Sequence, residues 1–204
     1  MTTVYFVRHA RSIYNEQGRM AGLHDPPLSE AGIREAERAA RHLAQVKWDA
    51  AYSSPLLRAR DTARILLSAG TLKAIADPAI CEINMGTFSG RAWEDVESEY
   101  ATGGANVTFW QLFSRDGIPS QEPYRAAASR IMSFFERLAA DHEGQTILVV
   151  GHKGVMELFF SETIGFDPSA DLFEISGASI TTFELARDRR IKFLSVNVRP
   201  WCVP

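Results

Sequence analysis

The chain has 204 residues, 46% hydrophobic and 23% charged, the composition of a folded globular protein of a size that one core can serve (up to about 250 residues). No apolar run approaches the roughly 20 residues of a membrane-spanning helix, and a net charge of −3 argues against a general binder of nucleic acid or membrane surfaces. The first eight residues lack a basic, apolar secretory start, and two cysteines, Cys81 and Cys202, make no disulfide framework, so free thiols in a reducing cytoplasm are expected.

With no internal repeat and no low-complexity linker, residues 1–204 read as a single domain. Residues 4–7 predict a short buried strand that ends at Arg8 and His9. Residues 29–46 predict a helix capped by Ser29, with Ile33, Ala36, Ala40 and Leu43 on one face. Residues 49–52 predict a strand running into Ser53, Ser54 and Pro55. There Ser54 can cap and Pro55 can start a helix that turns Leu56, Ala59, Ala63 and Leu66 inward. Residues 72–76 are a further strand candidate. Residues 124–142 read as a helix with Ala127, Ile131, Phe134, Phe135 and Leu138 as its apolar stripe. Residues 146–150 are apolar on both faces, as a central parallel strand should be, and stop at Gly151 and His152. A helix over 155–164 follows, and two strands, 179–185 and 191–197, close the chain around Asp188.

The expected fold class is α/β: three layers, with a mostly parallel central sheet and helices on both faces. Residues 83–125 fit no layer. Their Gly103 and Gly104 pair and the aromatics Trp93, Tyr100, Phe109, Trp110 and Phe113 predict an inserted lid over the sheet's edge.

In open α/β sheets, ligands bind beyond the carboxyl ends of the strands. Three such ends carry unusual residues: Arg8 and His9, then Ser53 and Ser54 with Arg58, then Gly151 and His152. If those strands are neighbours, two of the chain's five histidines and two arginines meet in one crevice beside anion-attracting helix N-termini. Rival devices are missing. There is no glycine-rich nucleotide loop, no G-x-S-x-G elbow and no H-x-x-x-H metal spacing, and neither cysteine has a phosphatase-loop arginine. Histidine is left as the candidate nucleophile.

At this point a family resemblance emerges. The stretch Arg8-His9-Ala10-Arg11-Ser12-Ile13-Tyr14-Asn15 resembles the R-H-G-x-S/T-x-x-N motif of the histidine phosphatase (phosphoglycerate mutase-like) superfamily. Residues 28–36 resemble its L-S/T-x-x-G helix start, residues 53–63 its S-S-x-x-x-R-A-x-x-T-A segment, and Gly151-His152 its second-histidine turn. Glu82, with Gly86 and Gly90 behind it, resembles the acidic loop.

The resemblance implies that His9 attacks phosphorus and carries a phosphoryl group, and must be neutral to do so. It implies that Arg8, Arg58 and His152 surround the equatorial oxygens with positive charge, and that Asn15 donates to the same oxygens, as could Ser12. It implies that Glu82 protonates the leaving alkoxide and later activates water, with no metal and no cofactor. Two positions depart from the pattern. Ala10 stands where glycine is usual. Lys153 stands in place of the glycine after the second histidine, and either adds a cation near the substrate or points into solvent.

Within this superfamily, the mutases follow the catalytic glutamate with an arginine, whereas Glu82 is followed by Ile83-Asn84-Met85-Gly86. The expected activity is therefore hydrolysis of small phosphomonoesters, such as a sugar, nucleoside or glycerate phosphate. The alternatives are mutase-type phosphoryl transfer and a non-catalytic binding protein that keeps the fold.

Overall fold

Alternating apolar side chains set the sheet. Along β1 (Thr2–Arg8), Val4 and Phe6 point to one face and Tyr5 and Val7 to the other. Along the central strand, Ile147 and Val149 oppose Leu148 and Val150 in the same way. A computed structural model describes residues 1–100, 109–113, 118–165, 167 and 174–200. Gly103, Gly104, the side chain of Phe109 and Cys202 lie outside the described residues.

With β2 (Ala50–Ser53), β3 (Ile75–Ala76), β4 (Thr146–Gly151), β5 (Ile180–Leu185) and β6 (Ile191–Val198), the strand order is β3-β2-β4-β1-β5-β6. The first four strands are mutually parallel, and β5 and β6 run antiparallel at one side. The predicted strand over 72–76 shrinks to two residues, because it pairs only with Tyr52 and Ser53 at the end of the four-residue β2.

The helices are α1 (Ile13–Glu16), α2 (Glu30–His42), α3 (Leu57–Leu66), α4 (Trp93–Tyr100), α5 (Phe109–Phe113), α6 (Tyr124–Asp141) and α7 (Lys153–Ile164). Helices α2 and α3 pack on one face through Ala36, Ala39, Ala59, Ala63 and Leu66. Helices α6 and α7 cover the other with a phenylalanine-rich layer that includes Phe134, Phe135, Phe159 and Phe160. Burying each such ring contributes about 1.5–3 kcal/mol, so this layer is the main stabilising core. None of the described helices is long and apolar enough to cross a membrane.

Two local expectations need correction. The buried face of α2 runs through Gly32, Glu35, Ala36 and Ala39, with Ile33 exposed. The helix is rotated because Gly32 lies against the backbone of the Arg11 loop, where a Cβ would sit 2.0 Å from the Arg11 carbonyl oxygen. Helix α3 starts at Leu57, after Ser54 and Pro55, and the Ser54 hydroxyl instead accepts from Leu56 N–H. The Leu57 N–H is taken by the Asp25 carboxylate at 2.7 Å, from a loop far away in sequence.

In residues 83–125, the turn Gly86–Phe88 and α4 form a small cluster of Phe88 and Val96 with Met20, Met85, Trp93 and Tyr100 against it. Trp110 and Phe113 are buried in the main core instead.

Candidate active site

The sheet's register assembles the site. Arg8 pairs with Gly151 across β1 and β4, and Ser53 pairs with Val150 across β4 and β2, so three strand ends stop side by side. The His9 N–H then donates to the Gly151 carbonyl at 2.9 Å, and the rings of His9 and His152 lie 5.0 Å apart.

His9 is buried, and its Nδ1 lies 2.8 Å from the Ala10 carbonyl. A carbonyl only accepts, so the proton is on Nδ1 and the lone pair on Nε2. The Arg58 Nε–H reaches that Nε2 at 3.3 Å. Burial, and then the charges of Arg58 and Arg8, hold His9 well below the usual 6.5. The imidazole is thus neutral, with its free nitrogen against a guanidinium.

Arg58 is buried with a net cationic head, and its two Nη atoms donate to the carbonyls of His24 (2.8 Å) and Gly22 (3.0 Å). Thr62 stitches the helix to the loop that carries His9. Its hydroxyl donates to the Arg58 carbonyl at 2.7 Å and accepts from Ala10 N–H at 3.0 Å. Arg8 is half-buried and donates through Nη1 to the Ile175 carbonyl. Its Nε and both ring nitrogens of His152 are buried with no partner among the described residues. A buried polar group left unpaired costs about 1–3 kcal/mol, so the Arg8 Nε–H and the single N–H of a neutral His152 are two donors that an acceptor-rich ligand would satisfy.

His152 departs from expectation in charge. Burial, followed by Arg58, His9 and Arg8, holds it well below 6.5, so it is a neutral donor and not a fixed cation. A phosphate dianion beside it works in the opposite direction.

Glu82 is buried, its Oε1 accepting from Ile83 N–H at 2.9 Å. Its carboxyl lies on the first turn of α7, where a Cβ on Gly154 would come within 2.6 Å of Oε1. Burial raises its pKa, against the opposing pull of the Ile83 N–H, Arg58, Arg8 and the Gly154 N–H. A carboxyl that holds its proton above the usual range beside two arginines suits general acid work.

Ser12 and Asn15 are not part of this charged cluster through any hydrogen bond. They bond each other in a capping box: Ser12 N–H and Oγ–H donate to Asn15 Oδ1 (3.0 and 2.9 Å), and Asn15 N–H donates to Ser12 Oγ (3.3 Å). The Ser12 hydroxyl is consumed by the loop, which leaves Asn15 Nδ2 as the donor of the pair.

Both departures from the pattern now have a physical account. Ala10 is fully buried and has no positive φ, so its methyl group fits without backbone strain. Lys153 begins α7 and runs along it to Glu157, with Nζ 3.5 Å from Oε1.

Glu157 was not singled out by the sequence. It is a buried carboxylate that also accepts from Trp110 Nε1 at 3.1 Å. Burial raises it to about 7, against the pull of Lys153 and the Trp110 N–H and with a push from Glu82. The folded protein therefore holds this proton more tightly than the unfolded chain, and stability falls as pH rises from 4.5 towards 7. Glu157→Gln should remove a fall of about 3 kcal/mol over that window, seen as urea midpoints that converge at acid and neutral pH. Unchanged pH dependence would show that Glu157 ionises normally.

The geometry brings two arginines, a second histidine and a buried carboxyl together around a neutral buried imidazole. The profile of the histidine phosphatase superfamily (branch 1) matches residues 4–198. The chain is 32% identical over 200 residues to phosphoserine phosphatase 1 of Hydrogenobacter thermophilus, covering 97% of this chain and 93% of that one. It is 31% identical to the adenosylcobalamin/alpha-ribazole phosphatase of Escherichia coli, covering 82% and 81%. The crystal structure of a phosphoglycerate mutase from Bacillus anthracis superimposes with a TM-score of 0.85, at 24% identity over 98% of this chain and 94% of that one.

The chain belongs to the histidine phosphatase superfamily. It is a phosphatase, a phosphoric monoester hydrolase.

Proposed function

We propose that the protein hydrolyses small phosphomonoesters in two steps at His9. In the first, His9 Nε2 attacks phosphorus in line while Arg8, Arg58, His152 and Asn15 Nδ2 hold the equatorial oxygens, and Glu82 gives its proton to the departing alkoxide. In the second, ionised Glu82 takes a proton from water as that water attacks the phosphohistidine, which frees phosphate and restores both groups. Ser12 holds the loop that carries Asn15. Arg8 and Arg58 supply the charge that a divalent cation supplies in other phosphoryl-transfer sites, so the reaction proceeds without metal or other cofactor.

The observation that carries this reading is the neutral His9, its Nδ1 proton bound to the Ala10 carbonyl and its Nε2 facing Arg58. The phosphatases among the relatives make phosphoserine and α-ribazole phosphate the first esters to try. Ile83 supports hydrolysis over mutase transfer: it is fully buried and apolar at the position where mutases place an arginine. Residues 83–125 act as the lid that sets specificity, while the strand ends set the chemistry. The protein works in the cytoplasm on small molecules and binds no nucleic acid.

The test is a hydrolysis screen over a panel of phosphomonoesters in chelator, paired with a coupled assay for interconversion of 2- and 3-phosphoglycerate. Metal-independent release of phosphate and negligible interconversion are expected. Fast interconversion would make the protein a mutase.

A further inference from the structure

Glu82 sits on a segment with little regular structure, between the 3₁₀ turn Pro78–Ile80 and the turn Gly86–Phe88. Such a segment has no strand ladder to hold a carboxyl within a fraction of an ångström. A side chain from α6 ties down the backbone of this segment, while the carboxyl itself accepts from Ile83 N–H. Arg130 is largely buried and carries five N–H groups, and all five have acceptors. Nε donates to Glu122 Oε1 (2.7 Å), and Nη2 to Glu122 Oε2 (2.8 Å) and the Glu82 carbonyl (3.4 Å). Nη1 donates to the carbonyls of Ala79 and Cys81, each at 2.8 Å.

Glu122 completes the grip from the other side. Its carboxylate accepts from Asn84 N–H at 3.4 Å, and its own N–H donates to the Asn84 carbonyl at 3.1 Å. Residues 79, 81 and 82 are thus tied to Arg130 and residue 84 to its partner, so the backbone is fixed on both sides of Glu82. Helix α6, which bears Arg130, is anchored in the phenylalanine core by Ile131, Phe134 and Phe135.

We propose that the Arg130–Glu122 pair is a positioning device that sets the Glu82 carboxyl for proton transfer to the leaving group. Neither side chain touches substrate; both act through the backbone that carries Glu82. This rests on Glu82 being the general acid. The planar fork is what the geometry uses: a lysine has three donors around a point and cannot reach three carbonyls and both carboxylate oxygens together.

The readout is leaving-group dependence. Loss of phosphorus from an alkyl ester needs a proton on the alkoxide, whereas p-nitrophenolate departs without one. The quantity compared is kcat/KM, which covers the steps up to release of the alcohol. Arg130→Lys should lower kcat/KM for an alkyl phosphomonoester on the order of 10- to 100-fold, and for p-nitrophenyl phosphate by no more than about threefold. Glu122→Gln should show the same split at smaller size, and it carries the test if Arg130→Lys fails to fold. Glu82→Gln run in parallel separates the two claims. If Glu82→Gln is selective for alkyl esters but the clamp variants lose both substrates equally, in step with melting temperature, the pair is merely structural and the proposal is overturned. If Glu82→Gln shows no selectivity, the general-acid reading falls and takes the proposal with it.

Discussion

His9→Ala should leave the protein unable to hold a phosphoryl group and should lower kcat on the order of 10⁴-fold or more, the scale seen when a covalent nucleophile is removed. The size follows from how completely the structure commits this residue. Its tautomer is set by the Ala10 carbonyl, its neutrality by burial and two arginines, and its place by the hydrogen bond from its N–H to Gly151. His152, the nearest other imidazole, cannot take over: its ring is 5.0 Å away and comes off a different strand end. Rapid acid-free quenching with labelled substrate should trap acid-labile, base-stable label on the wild type alone. Equal labelling of His9→Ala would move the nucleophile elsewhere.

The parts of the site that hydrophobic pattern could reveal are those at strand ends. Val4 to Val7 and Ile147 to Val150 are short runs with nowhere to go but a buried sheet, so the polar residues that stop them, Arg8, His9 and His152, stand out. That β1, β4 and β2 are neighbours is only a condition in the sequence, and the strand register supplies it. What stayed hidden depends on contacts between segments distant in sequence. The start of α3 differs from the local signal of Ser54 and Pro55 because its first N–H is taken by Asp25, a residue distant in sequence. The face of α2 was misjudged because Gly32 and Glu35, a small residue and a charged one, turn inward to meet the Arg11 loop.

Arg130, Glu122 and Glu157 escaped for a common reason. A charged residue, whether on a helix like Arg130 and Glu157 or just ahead of one like Glu122, reads as solvent-facing, and only the fold shows a backbone or an indole waiting for it. A clue existed in Arg130: it directly precedes Ile131 of the apolar stripe of α6, where a long guanidinium side chain lies along buried surface. The charge of His152 is also beyond reach of the sequence, because it depends first on full burial and then on the nearness of Arg58, His9 and Arg8.

Arg58→Ala should lower kcat/KM on the order of 10²- to 10³-fold, as expected for removing a preorganised contact to transition-state charge in a dry site. The same change should alter the pH dependence in a direction that a simple loss of binding would not produce. Arg58 is the largest charge holding His9 below 6.5, after burial itself, and it also depresses His152. Without it, protonated His9 becomes easier to form, so the acid limb of the kcat/KM profile should move to higher pH. Arg58→Lys keeps a cation and should move that limb much less, although it cannot keep the contacts to Gly22, His24 and His9 together. A matched fall in rate with no displacement of the acid limb would mean that Arg58 serves the phosphate oxygens only, and that burial alone keeps His9 neutral.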